Sequence, residues 1–266
     1  MTITTEMPIE GISAMESNLT NNDLGFVVRR LPKDVRDLLS KFQGTLFLGG
    51  GFIRAVVAGE EPNDIDLFGT SPDHIKKIAD ELQESRGGEK NCRLHRTKNA
   101  ITVISIGRIT VQFITRWTFS TPEDVFKSFD FTVCQAAIYR DGAGKQSPWR
   151  SKVSPAFYID LAAKRLVYTS PKREEEAGGS MLRVLKYVRR GYVIQVDSLA
   201  LVIARLTAAV RSADVDVSDE NATGWVINGL LQEVDPSIAV DGLDVVDDHE
   251  SKIDGIDAAQ MEWDEQ

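Results

Sequence analysis

The run Gly49-Gly50-Gly51-Phe52-Ile53-Arg54, followed after nine residues by Asp64-Ile65-Asp66-Leu67, constrains this 266-residue chain more than any other feature. Three consecutive glycines after the short strand Thr45 to Leu48 form a tight turn, and Phe52 to Ala58 reads as a small helix that Gly59 and Pro62-Asn63 close before a strand from Ile65 to Phe68. Side chains two apart on a strand share a face, so Asp64 and Asp66 present two carboxylates together while Ile65 turns to the core. A bare Asp-x-Asp after Pro-Asn is more often a turn of solvated acids; the glycine turn one helix upstream sets this one apart. Neighbouring carboxylates repel, and a shared proton or a divalent cation relieves the repulsion, with hard oxygen donors favouring Mg2+ or Mn2+. Backbone N–H groups at Gly49, Gly50 and Gly51 and at the start of the helix can meet phosphate oxygens, and Arg54 lies one turn in. The pattern predicts a site for a metal-bound nucleoside triphosphate.

The remaining punctuation organises an α/β (α+β) chain. Met1 to Asp23 is polar and without period, and reads as a flexible lead-in (1–23). A helix follows Pro32 through Phe42, with Val35, Leu38, Leu39 and Phe42 at helical spacing. Ser71 and Pro72 open a second helix that runs to about Glu84. Cys92 to Thr97, Ala100 to Ile106 and Ile109 to Ile114 read as strands of one sheet, the last two joined at Gly107-Arg108. Thr121 caps a short helix from Pro122 to Lys127, and a strand is expected to reach Tyr139 from Phe131, ahead of a turn at Asp141-Gly142-Ala143-Gly144. Beyond about Tyr158 the pattern becomes helical, with Ser180 to Arg190 amphipathic, Asp197 to Arg211 apolar enough to be buried, and a last helix over Trp225 to Leu231. These divisions predict a core over 24–150, a small helical extension over 151–232 and an acidic tail over 233–266.

The formal charge of −9, from 31 basic and 40 acidic residues, hides an asymmetry. Residues 213–266 hold 16 acids and one base, leaving 30 bases and 24 acids in residues 1–212; Arg140 to Arg211 alone holds 14 bases and 6 acids. A basic body suits a polyanionic partner such as RNA or a nucleoside triphosphate. Lys186, Arg189 and Arg190 are candidate RNA contacts, although basic helix faces are as often only solvated; Trp117 and Phe119 could stack a base but sit among apolar strands, where aromatics are usually core. Cys92 and Cys134 lack metal-ligand spacing, Cys134 reads as a buried thiol, and the three histidines are scattered, which argues against structural zinc and disulfides. No eighteen-residue apolar run exists, and Met1 to Thr20 lacks the basic start and apolar stretch of a signal peptide, so a cytoplasmic chain without membrane contact is expected.

Gly50-Gly51-Phe52-Ile53-Arg54-Ala55-Val56-Val57-Ala58-Gly59 through Asp64-Ile65-Asp66-Leu67 resembles, without a gap, the GGxVRDxxLG and DxD signature of bacterial CCA-adding enzymes and poly(A) polymerases, members of the DNA polymerase beta nucleotidyltransferase superfamily. Asp130-Phe131-Thr132-Val133 resembles the family's RRDFTIN element, Asp160-Leu161 with Lys164 resembles the segment after it, and Leu182 to Tyr192 its LRILRAIRFA helix. The resemblance implies a polymerase-beta-like core with a mixed sheet. It implies that Asp64 and Asp66 hold the metal, that Gly50, Gly51 and Arg54 meet the triphosphate, and that Asp130 and Arg183 line the nucleotide pocket. Catalysis would move a nucleoside monophosphate from an NTP to an acceptor hydroxyl, most plausibly an RNA 3′ end, and release pyrophosphate.

Four departures mark this chain off. Ala55 replaces the family's aspartate and removes a polar partner for Arg54 or its neighbours. Gln112 stands near the position of the third carboxylate, where an amide can hydrogen-bond but cannot act as base or balance metal charge; Asp130 is a possible substitute. Gly179-Ser180-Met181-Leu182 precedes Arg183 in place of the base-reading EDxxR element. The family's further helical domains have no counterpart before the acidic tail. Two alternatives follow: the same chemistry on a protein or small-molecule hydroxyl, or a catalytically degenerate module that binds nucleotide or RNA.

Overall fold

The computed structural model describes residues 17–141, 147–171, 177–213 and 215–232. The chain opens with α1 (Asn21–Arg30) and α2 (Lys33–Lys41), continues through β1 (Leu46–Gly49), α3 (Gly51–Val57), β2 (Asp64–Gly69), α4 (Pro72–Ser85), β3 (Cys92–Arg96), β4 (Ala100–Ser105), β5 (Thr110–Ile114), α5 (Pro122–Lys127), β6 (Ala136–Arg140) and β7 (Trp149–Val153), and ends with α6 (Phe157–Ala162), β8 (Arg165–Leu166), α7 (Ala177–Arg189), β9 (Val193–Ile194), α8 (Val196–Ser212) and α9 (Glu220–Gln232).

Seven strands form a mixed sheet in the order β3-β4-β5-β2-β1-β6-β7, in which β2 and β5 run parallel and the other pairs antiparallel. Alternation along the strands assigns the two faces. Leu46, Leu48, Ile65, Leu67, Val111, Phe113 and Ile138 point into the main core, against α1 to α4 and the buried side of α7. Phe47, Phe68, Ala100, Ile114, Ala137 and Tyr139 point the other way and build a smaller second core with Val125 and Phe126 of α5. Burying about 30 cal/mol for each Å² of apolar surface on both faces is the main stabilisation of this sheet. The α/β architecture with a mixed sheet is the one expected.

Local chemistry explains the helix starts. Ser71 and Thr121 each accept a hydrogen bond from the backbone N–H three residues on, with Pro72 and Pro122 just inside. Thr20 does the same for α1, and its hydroxyl donates to Asp23, whose carboxylate also accepts from Tyr158 at 2.6 Å.

That contact corrects the flexible lead-in. Within the expected 1–23 segment, Ser17 bridges to Val153, Leu19 is buried and α1 starts at Asn21. Their order comes from contacts with β7 and α6, far along the chain, which local polarity does not reveal. The boundary after residue 150 is corrected too, because it cuts through β7, an edge strand paired with β6. The extension is not wholly helical, since β8 and β9 form a parallel pair within it. In place of one strand from Phe131 to Tyr139, a 3-10 turn at Thr132–Cys134 precedes β6.

Helix α8 was expected to be buried, yet only Ser198, Val202 and Val210 are, while Val196, Leu201 and Ile203 face outward. Only one stripe of this all-round apolar helix meets α7 and α9. Helix α9 crosses α7 at Gly178, where an added Cβ would lie 2.1 Å from the Leu230 carbonyl oxygen. Most of the Asp141-to-Gly144 turn and the acidic tail lie outside the described residues. No helix among the described residues is long and apolar enough to cross a membrane.

Candidate active site

Register across the sheet assembles the site. Gly49 pairs with Asp66, Asp66 with Gln112, Gln112 with Thr102, and Thr102 with His95, so these residues form one transverse row with side chains on one face. Asp64 lies two residues back along β2, paired with Thr110. Both aspartates are half-buried, and Ile65 between them is fully buried in the main core. The next row along the same face holds Phe47 and Phe68 and belongs to the second core. The carboxylates therefore sit where this face changes from apolar and covered to polar. Trp117 and Phe119 pack against that second core, with the Phe119 and Phe68 rings 5.8 Å apart.

The three glycines have different reasons to be there. Gly50 has φ +72°, and a Cβ on it would lie 2.5 Å from the Phe129 ring; one on Gly49 would lie 2.9 Å from Phe68 and 3.0 Å from Phe129. Phe129 thus presses the backbone of this turn flat, which the linear sequence did not signal. Gly51 needs neither a positive φ nor space, since a Cβ there would meet nothing within 4 Å. A helix start with no steric need for glycine leaves room for a ligand close to the backbone.

Phe129 also carries the chain to Asp130, which is buried and accepts from Arg183 Nη1 at 2.8 Å and from Ser180 Oγ at 2.9 Å. The structure thus joins Asp130 and Arg183, two residues expected in one pocket. The same ion pair commits Asp130 elsewhere and leaves it a poor substitute for a third carboxylate. Lys186 lies three residues beyond Arg183 on α7, Arg189 ends that helix and Arg190 follows it.

Arg54 is placed differently from the expected phosphate contact. Its side chain is 1% exposed, and Nη1 donates to Glu60 Oε2 and to the Tyr192 hydroxyl at 3.1 Å, with the guanidinium 5.2 Å from the Tyr187 ring centre. Tyr187 and Tyr192 belong to the main core, on the sheet face opposite the aspartates. Glu60 thus supplies the acidic partner that Ala55 cannot. Nearby, Cys134 Sγ lies 2.8 Å from the Tyr187 hydroxyl, and burial pushes both the thiol and the phenol up despite the opposing pull of Arg54, which keeps Cys134 an inert core thiol.

Among the described residues no three His, Cys, Asp or Glu side chains gather as a metal site. The carboxylates of Asp64 and Asp66 are hard oxygen donors of the kind that would suit a divalent cation such as Mg2+. Alternation along β5 points out Thr110 as well as Gln112; Phe129, Ser180 and Glu60 act through contacts of long range or through a turn, and only the fold reveals them.

The sheet order, the glycine turn and the paired aspartates define a polymerase-beta-like nucleotidyltransferase fold. The chain is similar to solved structures of a CCA-adding enzyme with ATP (TM-score 0.51, 16% identity, covering 86% of this chain and 53% of the other) and with CTP (0.50, 15%, 86% and 54%). A Thermotoga maritima CCA-adding enzyme complexed with tRNA aligns at TM-score 0.48 and 14% identity, over 86% of this chain and 53% of its own. This chain spans about half the length of those proteins, and at such identity the likeness to the ATP and CTP complexes establishes the fold alone. No curated protein matches the sequence. The chain belongs to the Gabija anti-defense 2 family, whose model matches residues 18–164.

Proposed function

We propose that this protein transfers a nucleoside monophosphate from an NTP to an acceptor hydroxyl and releases pyrophosphate. The observation that carries the reading is the placement of Asp64 and Asp66 on one face, beside the Gly49–Gly51 turn and the open space at Gly51, in a nucleotidyltransferase fold. In this reading Asp64 and Asp66 hold Mg2+ or Mn2+, which supplies Lewis-acid stabilisation of charge on the transferring phosphoryl group. Backbone N–H groups of the glycine turn orient the triphosphate, and Arg183, fixed by Asp130, lines the nucleotide pocket. The acceptor oxygen bonds to the α-phosphorus, the bond to the β-phosphate breaks, and the acceptor proton leaves to solvent.

An RNA 3′ end is the acceptor favoured by charge, since Arg140 to Arg211 is basic and Lys186, Arg189 and Arg190 extend the α7 surface beyond Arg183. The family description names an anti-defence role against Gabija, so RNA or protein components of that system belong among the acceptors. One observation favours a second reading: Gln112, in register with Asp66, is neutral, as a module that binds nucleotide without transfer would have it.

The test is pyrophosphate release with each of the four NTPs, Mg2+ or Mn2+, and RNA or protein acceptors, against the Asp64→Ala, Asp66→Ala double variant. Release that vanishes in the variant supports the transferase. Nucleotide binding with no release under any condition selects the binding module.

A further inference from the structure

We infer that the outer part of the aspartate face, formed by β3, β4 and β5, is the surface along which a single-stranded RNA lies when its 3′ end reaches the site; the inference rests on reading Asp64 and Asp66 as the transfer site. Residues 86–116 hold seven bases and one acid, a steeper excess than that of Arg140 to Arg211. The fold sorts these bases by side. Arg86 and Arg108 both bond Asp34 of α2, and Arg96 bonds Asp80 of α4, which commits three of them to acids of the helices. Alternation on β3 sets Leu94 and Arg96 on that side, where Leu94 packs against the main core, and sets Arg93 and His95 on the other. Arg93 is exposed, and no acid among the described residues pairs with it.

Register makes this side continuous with the carboxylates. His95 pairs with Thr102 and Arg93 with Ile104, while Thr110 pairs with Asp64. The second core covers Ala100 and Ile114 at one end of the face, and α5 packs on β1, β6 and β7. His95, Thr102, Ile104 and Thr110 remain half-exposed. Guarding a sheet edge needs charge of either sign, so it does not account for seven bases to one acid. A polynucleotide does: Arg93 and the threonine hydroxyls donate to phosphate oxygens and 2′-hydroxyls, and the planar groups of Arg93 and His95 are of the kind on which unpaired bases stack. His95 is three strand spacings from Asp66, about 14 Å, the length of about four stacked nucleotides. Helix α7, which carries Lys186, Arg189 and Arg190, buries Val184 and Tyr187 in the main core under the opposite face. The β surface, not α7, is therefore the basic surface coplanar with the aspartates.

The experiment measures binding of a mixed-sequence single-stranded RNA of about twelve nucleotides to the full chain by fluorescence anisotropy over a range of salt. Arg93→Gln is expected to weaken binding about fivefold at 0.1 M salt and to lower the salt slope by about 0.7, the value of one phosphate contact on a single strand. Adding His95→Ala should weaken it further, and Arg93→Lys should restore most of it. Arg96→Gln removes the same charge from the same strand on the other side and should leave binding unchanged; circular dichroism confirms the fold of each variant. Equal losses in Arg93→Gln and Arg96→Gln would reduce the effect to overall charge and overturn the inference. A loss confined to Lys186→Gln, Arg190→Gln would overturn it in favour of α7. A parent chain that labels protein and binds no RNA would overturn it as well. RNA binding that follows Arg93, with no pyrophosphate released from any NTP, would support the surface and overturn the transferase reading alone.

Discussion

Arg54 Nη1 is shared between Glu60 Oε2 and the Tyr192 hydroxyl, so an arginine that lies within the glycine motif in sequence spends its charge inside the main core. The loop between α3 and β2 is thereby tied to the turn after α7. Removing Glu60 leaves a buried guanidinium without its carboxylate, a change that costs about 3–5 kcal/mol. Glu60→Ala is expected to lower stability by that order in chemical denaturation while leaving the affinity for nucleotide unchanged at temperatures where the variant is folded. A specific loss of nucleotide affinity in the folded variant would return Arg54 to the phosphate site.

Glycine substitutions separate architecture from ligand space. Gly50→Ala places a methyl group 2.5 Å from the Phe129 ring at a φ of +72°, and is expected to destabilise by about 2 kcal/mol or more. Gly51→Ala meets no neighbour and gains helix propensity of up to about 1 kcal/mol. Thermal melting should show it at least as stable as the parent, whereas calorimetry with an NTP should show weakened binding of the triphosphate. Unchanged binding would mean that phosphate does not approach Gly51.

Asp34 ties α2 to the loop after α4 and to Arg108. Its carboxylate accepts from Arg86 Nε and Arg108 Nη1, both at 2.9 Å. Burial alone would push its pKa up, but the hydrogen bond and charge of Arg86, the Val35 N–H and Arg108 outweigh burial and hold it below its ordinary 3.8. A depressed carboxylate contributes stability that is present above the unfolded value and is lost as pH falls through the lower folded value. The contribution should therefore persist through neutral pH and disappear below about pH 3.8. Urea denaturation as a function of pH should show Asp34→Asn less stable than the parent by about 3 kcal/mol at pH 7. The gap should narrow on acidification, and a constant gap down to pH 2 would exclude this linkage.

Asp64→Asn and Asp66→Asn keep shape and remove charge. Native folding of each variant is read by circular dichroism. Each should reduce pyrophosphate release at least about a hundredfold. Full activity in either variant would move the metal site elsewhere.

Much of the framework was legible in the sequence because it depends on local rules. Proline and serine or threonine at helix starts, glycine at turns and apolar alternation located α4, α5 and β3 to β5 within a residue or two. Period two alone brought Asp64 and Asp66 to one face. The glycine motif with the aspartate pair was specific enough to indicate the fold. Ser17 to Asp23 escaped notice because their order comes from β7 and α6, more than a hundred positions away, and nothing in a polar segment encodes such a partner; β7 pairs with the nearby β6, but its short mixed sequence carries no strand alternation to reveal it. Helix α8 misled for a related reason: apolar composition states that a face can be buried, not that another element arrives to cover it.

The sequence by itself determined the unit of strand, glycine turn, helix and paired carboxylates, since backbone sterics and side-chain alternation act over a few residues. Tertiary structure decided which neighbours those residues have. It set Gln112 beside Asp66 through the parallel pairing of β5 with β2, pressed Phe129 onto Gly49 and Gly50, joined Asp130 to Arg183, and drew Arg54 into the core with Glu60. Register and packing are collective outcomes of the whole sheet and its two cores, and they turn a motif into a site with a particular charge and shape.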